Sequence, residues 1–188
     1  RRQSTNRSGR RQTRREDRIR AMNAAHFHLI TNHVPVVGAP IALALLLAGL
    51  VRRREELVKA ALVLTVLLSL IVLPVKMSGD RTEDLVESLD GVNVAAIHPH
   101  EERGEAAAIA LLVAGGLALA TLALPAILAA AGRGRPRWLP PQRPLGILSA
   151  GALAVSMGLL FSTAWLGGRI RHIEIDLQPG NSVETGER

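Results

Sequence analysis

Four stretches of this chain are too long, too apolar and too free of charge to cover a water-soluble domain. They run over about 29–51, 57–75, 106–132 and 145–168. A helix of roughly 20 apolar residues crosses about 30 Å of hydrocarbon. Lipid tails offer no hydrogen bonds, so the backbone of each run must satisfy itself internally, as a helix does. The expected fold is therefore all-α: a four-helix antiparallel transmembrane bundle with a short amphipathic interfacial helix. Composition agrees. The chain is 48% hydrophobic yet carries 23 basic and 16 acidic residues, and these fall into the connectors rather than mixing throughout.

Three regions follow. Residues 1–24 form an arginine-rich tail, in which nine arginines face only Glu16 and Asp17 before residue 21. Residues 25–176 form the four-span domain, and 177–188 a polar tail. No apolar stretch follows the basic segment before His26, and no small-residue cleavage site precedes the first span, so no signal peptide is expected. The basic tail lacks the interleaved aromatics of a base-stacking surface. Membrane lipids and other membrane subunits are thus favoured as partners over nucleic acid.

Within the spans, Pro35 suits a first helical turn, Pro40 bends the first helix, and Pro74 with Gly79 closes the second. Leu85, Val86, Leu89 and Val92 give the segment Arg81–Asp90 an apolar stripe, which marks it as the interfacial helix. Small residues recur one turn apart at Ala106, Ala110, Ala114 and Ala118, and again at Ala150, Ala154 and Gly158. Such stripes let helix backbones approach closely.

Antiparallel spans have a consequence for distant residues. The amino-terminal segment, the connector 76–105 and the end of the fourth helix must share one membrane face. All six histidines belong to that face: His26, His28, His33, His98, His100 and His172. Imidazole is an axial ligand for haem iron and a ligand for zinc and copper. His33, just inside the first span, is the expected first ligand of a b-type haem. His98, His100 or His172 would supply the second, with Arg169 and Arg171 beside the propionates. The rival is a protein-only zinc, copper or di-iron site drawn from His26, His33, His98, His100 and His172 with Glu101 or Glu102. A third reading needs no cofactor and makes the histidines interfacial hydrogen-bonding or partner-contact groups.

Several chemistries are disfavoured. The chain has no cysteine, which removes thiolate chemistry and covalent haem attached through cysteine. There is no HExxH motif and no doubled Glu-plus-ExxH set for a di-iron bundle. The middle portions of the spans hold Thr65, Ser69, Thr121, Ser156 and Thr163 but no ionisable side chain, so a proton relay or ion-coupled carrier lacks its usual groups.

Three stretches together resemble a group of small, largely uncharacterised bacterial four-helix membrane proteins with a histidine- and proline-rich start to helix 1. They are His26-Phe27-His28-Leu29-Ile30-Thr31-Asn32-His33-Val34-Pro35, His98-Pro99-His100-Glu101-Glu102, and Gly167-Gly168-Arg169-Ile170-Arg171-His172-Ile173-Glu174. The resemblance covers most of 26–176. Some members of the group are suspected of haem binding or of association with respiratory chains. The resemblance implies no established activity, but it favours the cofactor reading, in which a subunit of the bacterial inner (cell) membrane would pass electrons between a haem and a quinone or neighbouring subunit. The alternative is a non-catalytic structural or assembly subunit of a larger complex.

Loop charges set the expected orientation. The first short loop carries Arg52, Arg53, Arg54 and Lys59 against Glu55 and Glu56, and the third carries Arg133, Arg135, Arg137 and Arg143. The connector sets Lys76 and Arg81 against a larger number of carboxylates. By the positive-inside rule the histidine face is external. The nine arginines of the tail argue the reverse.

Overall fold

The computed structural model describes residues 16, 19–20, 22–89, 91–132 and 142–172. Most of the arginine-rich tail, the polar tail, and Arg133, Arg135 and Arg137 of the third loop lie outside them. Four long helices dominate: α1 (His33–Arg52), α2 (Glu55–Asp80), α4 (Ile97–Ala130) and α5 (Gln142–Arg171). Between α2 and α4 lie the short α3 (Glu83–Glu87) and a 3-10 turn at Val94–Ala96. Among the described residues there is no strand.

Each long helix belongs to a segment long and apolar enough to cross a membrane: Met22–Arg52, Glu55–Asp80, Val94–Leu128 and Pro144–Arg171. Helix α1 packs on α2 and α5, and α4 packs on the same two, so the four close into a square with antiparallel neighbours. The chain is a multi-pass membrane protein with the expected all-α four-helix bundle. Between 28% and 39% of each span's apolar window is buried, so most of the span surface faces outward. Ile41, Leu47, Leu67, Leu70, Val113, Leu119, Val155 and Phe161 are among those exposed side chains. On a soluble protein such a surface would drive aggregation. Around a bundle in lipid it is the solvated face.

The helices overrun the apolar runs. Helix α2 continues through Pro74 and Gly79 to Asp80. Helix α5 continues through Gly167 and Gly168 to Arg171. Helix α4 begins at Ile97, well before residue 106, so the His98–Glu105 segment is its first two turns rather than a connector. The physical reason is common to all three. A charged side chain ends the hydrocarbon crossing, but nothing in it ends a helix. Pro99 lies in the opening turn of α4, where a missing N–H has little effect. The interfacial helix is correspondingly short, Glu83–Glu87 rather than Arg81–Asp90. Upstream of α1, residues 22–31 are helical and Asn32 forms a turn. Pro35 has no N–H for the Thr31 carbonyl, which accounts for the irregularity at that point.

The core is built from small side chains. Ala39, Ala42, Ala61, Ala114 and Ala118 are fully buried, interleaved with Leu46, Leu111 and Leu153. The stripe on α4 runs inward as expected at Ala114 and Ala118. On α5 the inward positions are Ser149, Ala150, Leu153, Ser156 and Leu160. Ala154 and Gly158 point outward instead, because the face that meets α4 is rotated by about one position. Buried hydroxyls are mostly consumed locally. Thr65 donates to Ala61, Ser69 to Val66, Thr121 to Leu117 and Ser149 to Leu145, all backbone carbonyls of the same helix. They line no polar path through the bundle.

Helices α2 and α4 approach closely at Gly115, where an added Cβ would overlap Ser69 of α2, whereas at Gly116 it would meet nothing within 4 Å. Replacing Gly115 by Leu should force α2 and α4 apart and destabilise by about 1–3 kcal/mol. Gly116→Leu should leave the thermal midpoint in detergent nearly unchanged. Equal midpoints for the two variants would contradict this packing.

Candidate functional site: the histidine face

Two of the six histidines reach across the bundle, and they do so in the same way. His28, in the turns before α1, places Nδ1 2.9 Å from the Val75 carbonyl of α2. His100, at the start of α4, places Nδ1 2.9 Å from the Thr163 carbonyl of α5. A carbonyl oxygen can only accept, so Nδ1 carries the proton in both rings. In the neutral imidazole, Nε2 is then left with its lone pair. Neither Nε2 has a hydrogen-bond partner among the described residues.

The acceptor carbonyls are already part of a helix ladder, so a side chain must reach them from the flank. Bulk four residues further on would block that approach. In both cases the residue at that position is glycine: Gly79 follows Val75, and Gly167 follows Thr163. The rings rest on them. An added Cβ would lie 3.1 Å from His28 Cε1 at Gly79 and 3.0 Å from His100 Cε1 at Gly167. Both glycines are ring seats: Gly79 stands one residue before the end of α2, where the sequence puts the close of that helix, whereas α5 runs on past Gly167 to Arg171. Ser78 adds a second contact, its Oγ 3.4 Å from His28 Nδ1.

The two clamps lie at the same end of the bundle, one on the α1–α2 pair and the other on the α4–α5 pair. Lys76 feels Asp80, Glu105 and Glu101, and its Nζ lies 3.1 Å from Asp80 Oδ2. The backbone N–H of Asn93 donates to the Ile170 carbonyl at 3.0 Å, which ties the connector to the end of α5. One turn along from His28, Asn32 Oδ1 is a buried acceptor without a donor.

The other histidines stand apart from this pair. His33 is exposed, and its Nδ1 lies 2.8 Å from the Leu29 carbonyl in the helical turns just before α1. His98 is exposed, with Nε2 3.3 Å from Glu102 Oε1, again on its own helix. His26 and His172 are exposed, as is Arg171, while Arg169 and Glu101 are half buried. Among the described residues, no group of three or more His, Asp or Glu side chains is placed to hold a metal ion. Sequence reasoning singled out His33 for its depth and passed over His28. The signal that separates them is the partner glycine on the next helix, which spacing within one helix does not reveal. No family model, curated protein or solved structure matches this chain.

Hydrogen bonds between membrane helices contribute about 0.6 kcal/mol on average and up to about 1.7. Gly167→Val should unseat His100 and lower stability by about 1 kcal/mol. Gly168→Val, next to it but facing open space, controls for the shared change in helix propensity. Nitrogen NMR of labelled imidazoles should show the Nδ1–H form for His100 in the parent chain and its loss in Gly167→Val alone.

Proposed function

We propose that this chain is a membrane subunit that holds a haem b, or another redox cofactor taking two imidazoles, at one membrane face. Nε2 of His28 and His100 would form the ligand pair. One observation carries the reading: two rings at the same end of the bundle share one tautomer, fixed by carbonyls of the adjacent helix, with the ligating nitrogen left over. Metal-binding histidines ordinarily donate the other ring N–H to a carbonyl or carboxylate, which orients the ring. The donor chemistry fits haem better than zinc. Haem needs two axial nitrogens, whereas a zinc site needs three or four protein ligands, and no such group occurs among the described residues.

When bound, haem would supply one-electron transfer, with a quinone or a neighbouring subunit as the exchange partner. The protein's part is to hold both rings against rotation, through the Val75 and Thr163 carbonyls and the glycine seats. Arg169 and Arg171, at the same end of α5, have the charge to pair with propionates. His26, His33, His98 and His172 have no ligand role in this reading.

A second reading rests on the same bonds. Both rings are already engaged and seated, as a staple between helices requires, and this suits a non-catalytic structural or assembly subunit. Absorbance separates the two. On titration with one equivalent of haemin, the purified chain should develop a shifted Soret band. His28→Ala and His100→Ala should each abolish it, and His33→Ala should retain it. No Soret shift in the parent chain, with lowered thermal midpoints in both alanine variants, would overturn the cofactor reading in favour of the staple.

A further inference from the structure

At the end of the bundle opposite the histidines, α1 turns into α2 through Arg53 and Arg54. Arg53 adopts a left-handed conformation with φ of 55°, uncommon for a residue with a side chain. Its backbone N–H caps the Gly49 carbonyl, and the N–H of Arg54 donates to the same oxygen at 2.9 Å. The turn is tight because Gly49 sits against Val58, where an added Cβ would come within 2.8 Å of both backbone and side chain. This packing fixes two consecutive arginines at the rim of a cavity of about 380 Å³.

The cavity has two chemistries. Its rim carries Arg53, Arg54 and Lys59, with Glu55 the one carboxylate, 3.6 Å from Lys59 Nζ. Its wall is apolar, made by Leu50, Val58, Leu62 and Leu122. The volume lies within the range of small-molecule pockets, about 300–1,000 Å³. The position matters as much as the lining. The first span ends at Arg52 and the second begins at Glu55, so the rim lies at headgroup depth and the wall descends toward the acyl region. Three cations against one carboxylate leave an excess of positive charge, and both arginines are exposed.

We propose that this cavity is a binding site for an anionic phospholipid. Its phosphate would sit between Arg53 and Arg54, and one acyl chain would run along Leu62 and Leu122. A zwitterionic lipid brings a quaternary ammonium into the cationic rim and is disfavoured. A soluble phosphate reaches the arginines but gains nothing from the apolar wall. Basic pockets between membrane helices select anionic headgroups by this combination of charge and depth. The inference is independent of any cofactor at the histidine face.

The test is a lipid titration of the full purified chain in mild detergent, read by native mass spectrometry. Phosphatidylglycerol and phosphatidylcholine of identical chains serve as probes, and glycerol phosphate serves as a soluble competitor. One phosphatidylglycerol should bind per chain, at least tenfold more tightly than phosphatidylcholine. Arg53→Gln with Arg54→Gln should weaken phosphatidylglycerol about 30-fold. Arg81→Gln, at the other membrane face, should leave binding unchanged. Leu122→Trp, which fills the wall and leaves the rim charge intact, should reduce binding as well. Lys59→Gln, outside the tight turn, tests the rim if the double variant does not fold. Equal binding of the two lipids would overturn the proposal, as would indifference to both rim variants or full displacement by glycerol phosphate.

Discussion

In hydrocarbon a backbone carbonyl has no water to turn to, so an oxygen reachable from the side becomes a scarce attachment point. The bundle is organised around two such oxygens, on Val75 and Thr163. Each already closes a turn of its own helix, and each also accepts an imidazole N–H from the helix beside it. Everything notable at that membrane face follows from this double use. Gly79 and Gly167 must lack side chains, the helices must continue past them, and both rings acquire one fixed tautomer. A polar contact that is modest in water gains geometric authority here because few alternatives compete for the same groups.

Much of this was legible in the sequence, but unevenly. Uncharged length alone gives four helices, and four helices by parity bring residues 26–33, 98–100 and 169–172 to one face. Helix ends were harder to read. Charges at residues 76, 80 and 101–105 mark where hydrocarbon stops, yet α2 and α4 run on through them, since the interface tolerates both helix and charge. Glycine misled for a related reason. Read along one strand of sequence, Gly79 and Gly167 look like punctuation. Read against the facing helix, they are the space a ring occupies. Rotation about a helix axis had the same obscurity: Ala154 and Gly158 form a stripe as regular as that of α4, but alanine abundance produces stripes on every face of a helix.

The two ends of the bundle divide their chemistry. One end carries imidazoles with nitrogen lone pairs to spare. The other carries arginines held by a left-handed turn above an apolar wall. Between them the hydroxyls of Thr65, Ser69 and Thr121 bond back to their own helices. Among the described residues these locally bonded hydroxyls form no continuous polar path between the ends.

The placement of the two clamps also says how the molecule is assembled from parts. The bond from His28 joins α1 to α2, and the bond from His100 joins α4 to α5. Each bond thus closes a consecutive pair of helices, with an acceptor followed by glycine at the same offset. The seams between pairs are of another kind. There Gly115 nests on Ser69 and Gly146 approaches Leu50, close contacts of shape. The chain is in this sense two latched half-molecules held edge to edge, and neither latch bond involves a side chain of the connector 81–93. A cut there would sever the polypeptide while leaving both latches, and the complementary surfaces that pair the halves, in place.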